Sequence, residues 1–424
     1  MKSSSFNHEH MNYSENEANL NSDGPDPSKI RNFVLLSLTF LGVSLSFTAF
    51  PLLVLPLEKS LDISHGLAGL LYTIMFIASA AARFVESFAA DRYGKEGFLL
   101  YPGFLMAAGL LGFAFSPTYW LIAICICIAG LGNGFFIPAG FAAVSELFPK
   151  RRGKFIGIYD SIFPLSALAA YGIVTLSDPL GGWRYAVGLI GVYLFLVSTA
   201  LYFGYSSPER VVQSAESRFS SPLDYLRLVF ERAKNSPVFW KIVVLSIPVS
   251  IFAKGAVNFI PAYLVQGRGL SEGLASVMYM VFMGLIIAGK LLSGGMLDRK
   301  GARWTFLVDM GLVLLGLFLF SQVPGLLALT LGVLILAPAR GGVYTVMHTH
   351  LLDSLPPESV NLLYGLFMVS LSVFGSIGPG LVGALIDTLG FRWTFVVLLF
   401  VVLSTLPLIL NLKSSDTESG PMVT

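Results

Sequence analysis

The chain has 424 residues, 55% of them hydrophobic and only 12% Asp, Glu, Lys or Arg, against roughly 25% charged residues in soluble domains. So few charges cannot cover the three soluble domains that such a length would otherwise supply, whereas a dozen apolar spans of ~20 residues use up the apolar excess. The composition points to a polytopic helical membrane protein and excludes a disordered chain, a coiled coil and a soluble enzyme. With a net charge of +2 and no dominant basic block, nothing suggests nucleic acid as a partner.

Residues 1–29 are polar and of mixed charge, without the basic-then-apolar order of a signal peptide, and are expected to form a disordered cytoplasmic tail. Six apolar segments follow, at about 31–57, 65–90, 98–115, 118–148, 155–177 and 183–205. A polar interval, 206–237, separates them from six more, at about 238–266, 271–296, 303–321, 324–353, 359–386 and 391–411. The expected domains are therefore bundles at 30–205 and 238–412, a linker at 206–237 and a second cytoplasmic tail at 413–424. Within the linker, PLDYLRLVFERAK (222–234) reads as a short amphipathic helix on the membrane surface. Helices rather than strands are expected, because a spanning backbone must satisfy its own hydrogen bonds and continuous apolar runs do not alternate as a barrel wall does.

Cys125 and Cys127 stand two apart on one helix and point to different faces, so neither a disulfide nor a metal pair is expected. No cluster has metal-ligand spacing, and no phosphate loop or nucleophile–base set is visible, so no cofactor and no enzyme activity are expected. Orientation follows from Lys and Arg in the short loops. With the amino terminus inside, the inner loops hold Arg92, Lys95, Lys150, Arg151, Arg152, Lys154, Arg299, Lys300 and Arg303 besides the basic linker. The outer loops hold only Lys59, Arg184, Arg268 and Arg392. Both termini are thus expected in the cytoplasm of a multi-pass cell-membrane protein.

The two halves repeat one another. Asp91-Arg92-Tyr93-Gly94 after the second segment matches Asp298-Arg299-Lys300-Gly301 after the eighth. Eight residues before each Asp stands a cation, Arg83 in one half and Lys290 in the other. Glu146-Leu147-Phe148-Pro149 matches Asp353-Ser354-Leu355-Pro356, and Gly182-Trp183-Arg184 matches Gly390-Phe391-Arg392. Phe50-Pro51 matches Ile260-Pro261. This arrangement over residues 30 to about 412 resembles the major facilitator superfamily, whose loop signature is Gly-x-x-x-Asp-Arg/Lys-x-Gly followed by basic residues. The second half carries it as Gly294, Asp298, Arg299, Gly301 and Arg303; the first keeps Asp91, Arg92, Gly94 and Lys95, with Ser87 in place of the first glycine. The resemblance implies an all-α membrane fold of twelve helices in two pseudo-symmetric six-helix bundles, rocking about a central cavity. It further implies that the signature residues, Asp91 above all, gate the inner side.

An ionised side chain in hydrocarbon costs at least ~2.5–3.5 kcal/mol, so a deep one marks a cavity, a partner or a pathway. Arg83 and Lys290 lie ~12 Å of helix rise from their loop Asp, close to the middle of a ~30 Å core. Lys254 in the seventh segment and Arg340 in the tenth add two more deep cations, and the repeat sets Ser44 opposite Lys254 and Asn133 opposite Arg340. Arg83, Lys254, Lys290, Arg340, Asn133 and Asn258 are accordingly the candidate substrate-binding residues. Deep acids are few, Glu86 and Asp160, and these are the candidates for proton coupling; His348 and His350, two apart, cannot both face a cavity. The positive balance resembles the organic- and inorganic-anion porters of the superfamily, which implies a monomeric secondary transporter for a small anion such as a carboxylate. The alternative on the same fold is a proton-coupled exporter of hydrophobic compounds. The Gly-Pro of helix five and the helix-four arginine usual in drug exporters are absent here, where SIFPLSALAAYG and CIAGLGNGFFIPAG stand instead.

Overall fold

In a computed structural model, residues 27–93, 96–206, 227, 230–234, 236–355 and 360–411 are described. Among these residues, nine stretches are long and apolar enough to cross a membrane. Three of them contain a break at glycine and each crosses twice, which resolves the chain into twelve membrane helices. We number these α1 (Pro27–Leu61), α2 (His65–Tyr93), α3 (Pro102–Phe115), α4 (Tyr119–Leu147), α5 (162–180) and α6 (183–204). The second six are α7 (Pro237–Asn258), α8 (272–300), α9 (302–322), α10 (Leu326–Ser354), α11 (360–389) and α12 (391–403). The breaks fall at Gly181 (φ 147°) and Gly182 (φ 65°), at Gly301 (φ 76°) and at Gly390 (φ 74°). A side chain at these left-handed φ values would be strained, so glycine permits the reversal.

The repeat seen in the sequence returns as packing. In the first bundle α4 lies against α2 and α3; in the second, α10 lies against α8 and α9. Close approach is needed at such crossings: a Cβ on Gly289 of α8 would collide with the Pro338 carbonyl of α10. Small residues at helix contacts suit a lipid environment, where interdigitation rather than the hydrophobic effect holds helices together. α7 departs from its partner α1. Pro51 is carried inside a continuous α1, whereas α7 stops at Asn258 and resumes as a short turn, Ile260–Ala262, and a π-helical turn, Tyr263–Gly267.

Between the bundles, α2 packs along α11, and the first turn of α2 meets the last turns of α11. This closes the end of the molecule away from the termini. At the other end the bundles touch over a shorter stretch, where Asp160 meets Lys290 of α8. Both of these side chains are about half exposed, so water enters between the bundles there. In the expected surface segment, residues 230–234 are helical; the remainder of 222–234, except Arg227, lies outside the described residues, as do both tails beyond 27 and 411. Cys125 and Cys127 are free thiols.

Candidate functional site

A cavity of about 250 Å³ lies between the bundles. Each wall is one helix face, read at three- and four-residue spacing. α1 contributes Ser44, Phe47 and Thr48; α2 contributes Tyr72, Phe76 and Arg83; α4 contributes Asn133. From the second bundle come Lys254 and Asn258 of α7, Tyr279 of α8 and Arg340 of α10. Five of the six candidate binding residues therefore share one cavity, and Ser44 faces the same space as Lys254, its repeat partner. No carboxylate is among the described residues that line it.

The three cations are held by neutral groups. The Arg83 guanidinium donates to Asn133 Oδ1 at 3.4 Å and, across the bundle interface, to Ser372 Oγ at 3.5 Å. Ser79 donates to the same Asn133 oxygen at 2.6 Å, while the buried Asn133 amide nitrogen has no hydrogen-bond partner among the described residues. Arg340 donates to the Ala253 carbonyl at 3.0 Å, with its guanidinium 5.8 Å from the Tyr344 ring centre. Lys254 passes Gly375 of α11, and its ammonium sits 4.6 Å from the centre of the Phe76 ring. The Asn258 amide donates to the Lys254 carbonyl, steadying the end of α7 beside the break. Arg83 Nε, Arg340 Nε, Asn133 Nδ2 and Ser44 Oγ are buried and have no hydrogen-bond partner among the described residues. An unmet buried donor costs about 1–3 kcal/mol, more when charged. Four such donors belong to residues that line one cavity, beside three cations.

Other expectations are placed differently. Lys290 does not line the cavity. Its ammonium lies 3.6 Å from Asp160, and the two side chains are 48% and 53% exposed. Eight residues of helix rise put Lys290 at the anticipated depth, but the helix face points it toward the wet crevice, where a carboxylate from the other bundle meets it. The cations that share the cavity are consequently Arg83, Lys254 and Arg340, and Lys290 is not among them. Asp160 is thereby engaged at this crevice, and Glu86 is buried in α2 but does not line the cavity. In the loop signature, Gly301 makes the α8–α9 turn, Asp298 and Arg299 are exposed, and Arg303 is half-buried. Gly294 has open space beside it rather than a close helix neighbour. Asp91 and Arg92 lie in the last turn of α2, with side chains outside the description, and Gly94 is outside the described residues. His348 bonds to Tyr364 of α11 at 2.8 Å and does not line the cavity.

Composition and charge did not single out the aromatic wall of Phe47, Tyr72, Phe76 and Tyr279. A signal was present in α2, where Tyr72, Phe76, Ser79 and Arg83 follow one face. Also unanticipated is Asp309 of α9, 3% exposed, which accepts a 2.9 Å bond from Ser293 of α8 and is buried against Gly342 of α10.

The comparisons with known proteins agree with this architecture. The sequence matches the Major Facilitator Superfamily over residues 33–339 and 281–421, and the chain belongs to that family. It is 24% identical over 382 residues to a phosphoglycerate transporter protein of Salmonella typhimurium, covering 81% of this chain and 80% of that one. It is 26% identical over 353 residues to an MFS-type efflux pump of Mycolicibacterium smegmatis, covering 79% of each. Among solved structures, an inward-facing bacterial homolog of the human lysosomal transporter Spinster superposes with a TM-score of 0.76 at 14% identity, over 91% of this chain and 97% of that one. The protein is therefore a multi-pass membrane transporter for small molecules and not an enzyme.

Proposed function

We propose that this transporter moves a small organic or inorganic anion by alternating access, driven by ion or substrate gradients. The observation that carries the reading is the cavity itself: among the described residues it is lined by three cations and no carboxylate, and four buried donors of its lining residues are unpartnered. A solute with more than one negative charge balances three cations best, and its oxygens match the free guanidinium, amide and hydroxyl groups. The phosphoglycerate transporter among its relatives handles a solute of that kind. A cavity of this volume suits a compact solute, and the aromatic wall would face its carbon skeleton. In this reading both termini are cytoplasmic, the membrane is that of the cell, and Asp91 and Asp298 of the loop signature help close the cytoplasmic side.

Export of hydrophobic compounds draws support from the aromatic wall and from the efflux pump among the relatives. The charge of the cavity weighs against it, because a lipophilic cation would enter a site already holding three positive charges. The deciding experiment is uptake into proteoliposomes from a panel of labelled monocarboxylates, dicarboxylates, phosphoglycerate and a hydrophobic cation. Anion uptake that is lost in Arg83→Gln and Arg340→Gln, with both variants still folded, is the expected result. Unchanged anion uptake in both variants refutes the reading.

A further inference from the structure

At the closed end, away from the cavity, one imidazole is gripped by side chains from both bundles. Asp387 near the end of α11 accepts the backbone N–H groups of His65 and Gly66 at 3.0 and 2.7 Å, so its carboxylate caps the first turn of α2. The His65 ring lies in the same junction. Its Nδ1 is 3.3 Å from Asp387 Oδ1, and its Nε2 is 2.9 Å from Gln266 Oε1 and 3.8 Å from Glu58 Oε2. Phe391 stands edge-on to the ring at 5.2 Å, and Phe259 lies 6.1 Å away. His65 and Glu58 belong to the first bundle; Asp387, Gln266, Phe259 and Phe391 belong to the second. An exposed pair, Lys59 with Glu272 at 2.9 Å, ties the same two bundles at the rim.

The two nitrogens of the ring face oxygen acceptors. A neutral imidazole has one N–H and one lone pair, so one of its nitrogens would point a lone pair at an oxygen. The Gln266 amide, turned over, serves either form; Asp387 beside Nδ1, as a carboxylate, only accepts. The imidazolium satisfies both sides. Glu58 is 9% exposed, and a neighbouring cation offsets only part of the cost of burying its charge. The ionisable groups facing His65 are Glu58 from α1 and Asp387 from α11. The turn after α7 presents neutral Gln266, and the nearby Glu272 of α8 is engaged by Lys59.

We propose that His65 is a proton-binding site that ties proton occupancy to closure of the end away from the termini. With the proton in place, the imidazolium of the first bundle pairs with Asp387 of the second, beside Glu58. Without it, two carboxylates face one another across the junction around a neutral ring, and the bundles separate there. Proton uptake from that side and closing of that side thus become one event, whatever solute occupies the cavity.

The test follows the closed end directly and needs no substrate. In a background with Cys125 and Cys127 changed to Ser, spin labels at Leu180→Cys and Leu327→Cys mark the exposed ends of α5 and α10 on that side. Interspin distances are then measured in nanodiscs at about pH 5.5 and 8.5, on either side of the histidine range. A short distance at low pH that gives way to a longer one at high pH is expected, with the closed-to-open ratio falling roughly tenfold. His65→Gln should show the long distance at both pH values. Glu58→Gln, which leaves the Asp387 cap untouched, should keep only a reduced shift. Distances that do not change with pH in the background protein overturn the proposal, as does a full shift that persists in His65→Gln. Because anion uptake is not read, failure here leaves the cavity reading standing, and the reverse also holds.

Discussion

Replacing Lys254 by Met separates a binding cation from a structural one, because the two roles predict opposite effects. Met keeps most of the volume packed against Phe76 and Gly375 and removes only the charge. In the empty protein that charge is buried without a carboxylate partner among the described residues and is repelled by Arg83 and Arg340. Exchange of a buried charge for an apolar side chain of similar volume is commonly neutral or stabilising by about 1–4 kcal/mol. With an anion bound the sign reverses. A unit charge ~4 Å from the solute contributes about 4 kcal/mol at an effective dielectric of ~20, and a charge-assisted hydrogen bond about 1.5–3 kcal/mol net of solvation. Taking the smaller range, anion affinity falls roughly tenfold to 150-fold. The assay is a melting curve of the purified protein with and without the anion selected by the uptake panel. Lys254→Met should melt at or above the wild-type temperature when empty and lose most of the shift on adding the anion. A variant that melts well below wild type when empty, or that keeps the full anion shift, refutes the argument.

Three further expectations rest on packing. Gly289→Ala pushes a methyl group into the Pro338 carbonyl and should destabilise the second bundle by about 1–3 kcal/mol, seen as a lower melting temperature. The Lys290–Asp160 pair is half exposed and should contribute only ~0–1 kcal/mol, so Lys290→Gln and Asp160→Asn should each melt close to wild type; a loss above ~2 kcal/mol would show that the crevice is dry. Arg268 donates to the Phe320 and Val323 carbonyls and so caps the end of α9, whereas Arg392 meets only Gln322 at 3.4 Å. Arg268→Ala should therefore cost about 1.5–3 kcal/mol by thermal melting, and Arg392→Ala well under ~1 kcal/mol.

That last contrast shows how far the repeat carries. It pairs Arg184 with Arg392, and in the first bundle Arg184 does cap α3, donating to the Ala114 and Ser116 carbonyls at 3.0 and 2.6 Å. In the second bundle the same work passes to Arg268, because the α7 break brings a different arginine to the end of α9. Sequence correspondence preserved the requirement for a cap, but not the residue that meets it.

The sequence by itself determined the membrane environment, the helix count, the doubled architecture and the presence of deep charge. Each of these is local or periodic: an apolar run must be a helix in lipid, a glycine between two runs permits the reversal, and a cation inside a run must be accommodated. Tertiary structure alone decided which charges meet. Arg83, Lys254 and Arg340 converge on one cavity because three helix faces happen to turn inward together. Lys290, equally deep, is turned by its own helix toward Asp160 in the wet crevice. Glu58 and His65 lie far in the chain from Gln266 and Asp387, and all four are unremarkable there; they become a cluster only where the ends of four helices from two bundles close on one another. Depth can be counted along a helix, but the direction a side chain faces relative to another helix is fixed by packing, and packing is a property of the whole fold.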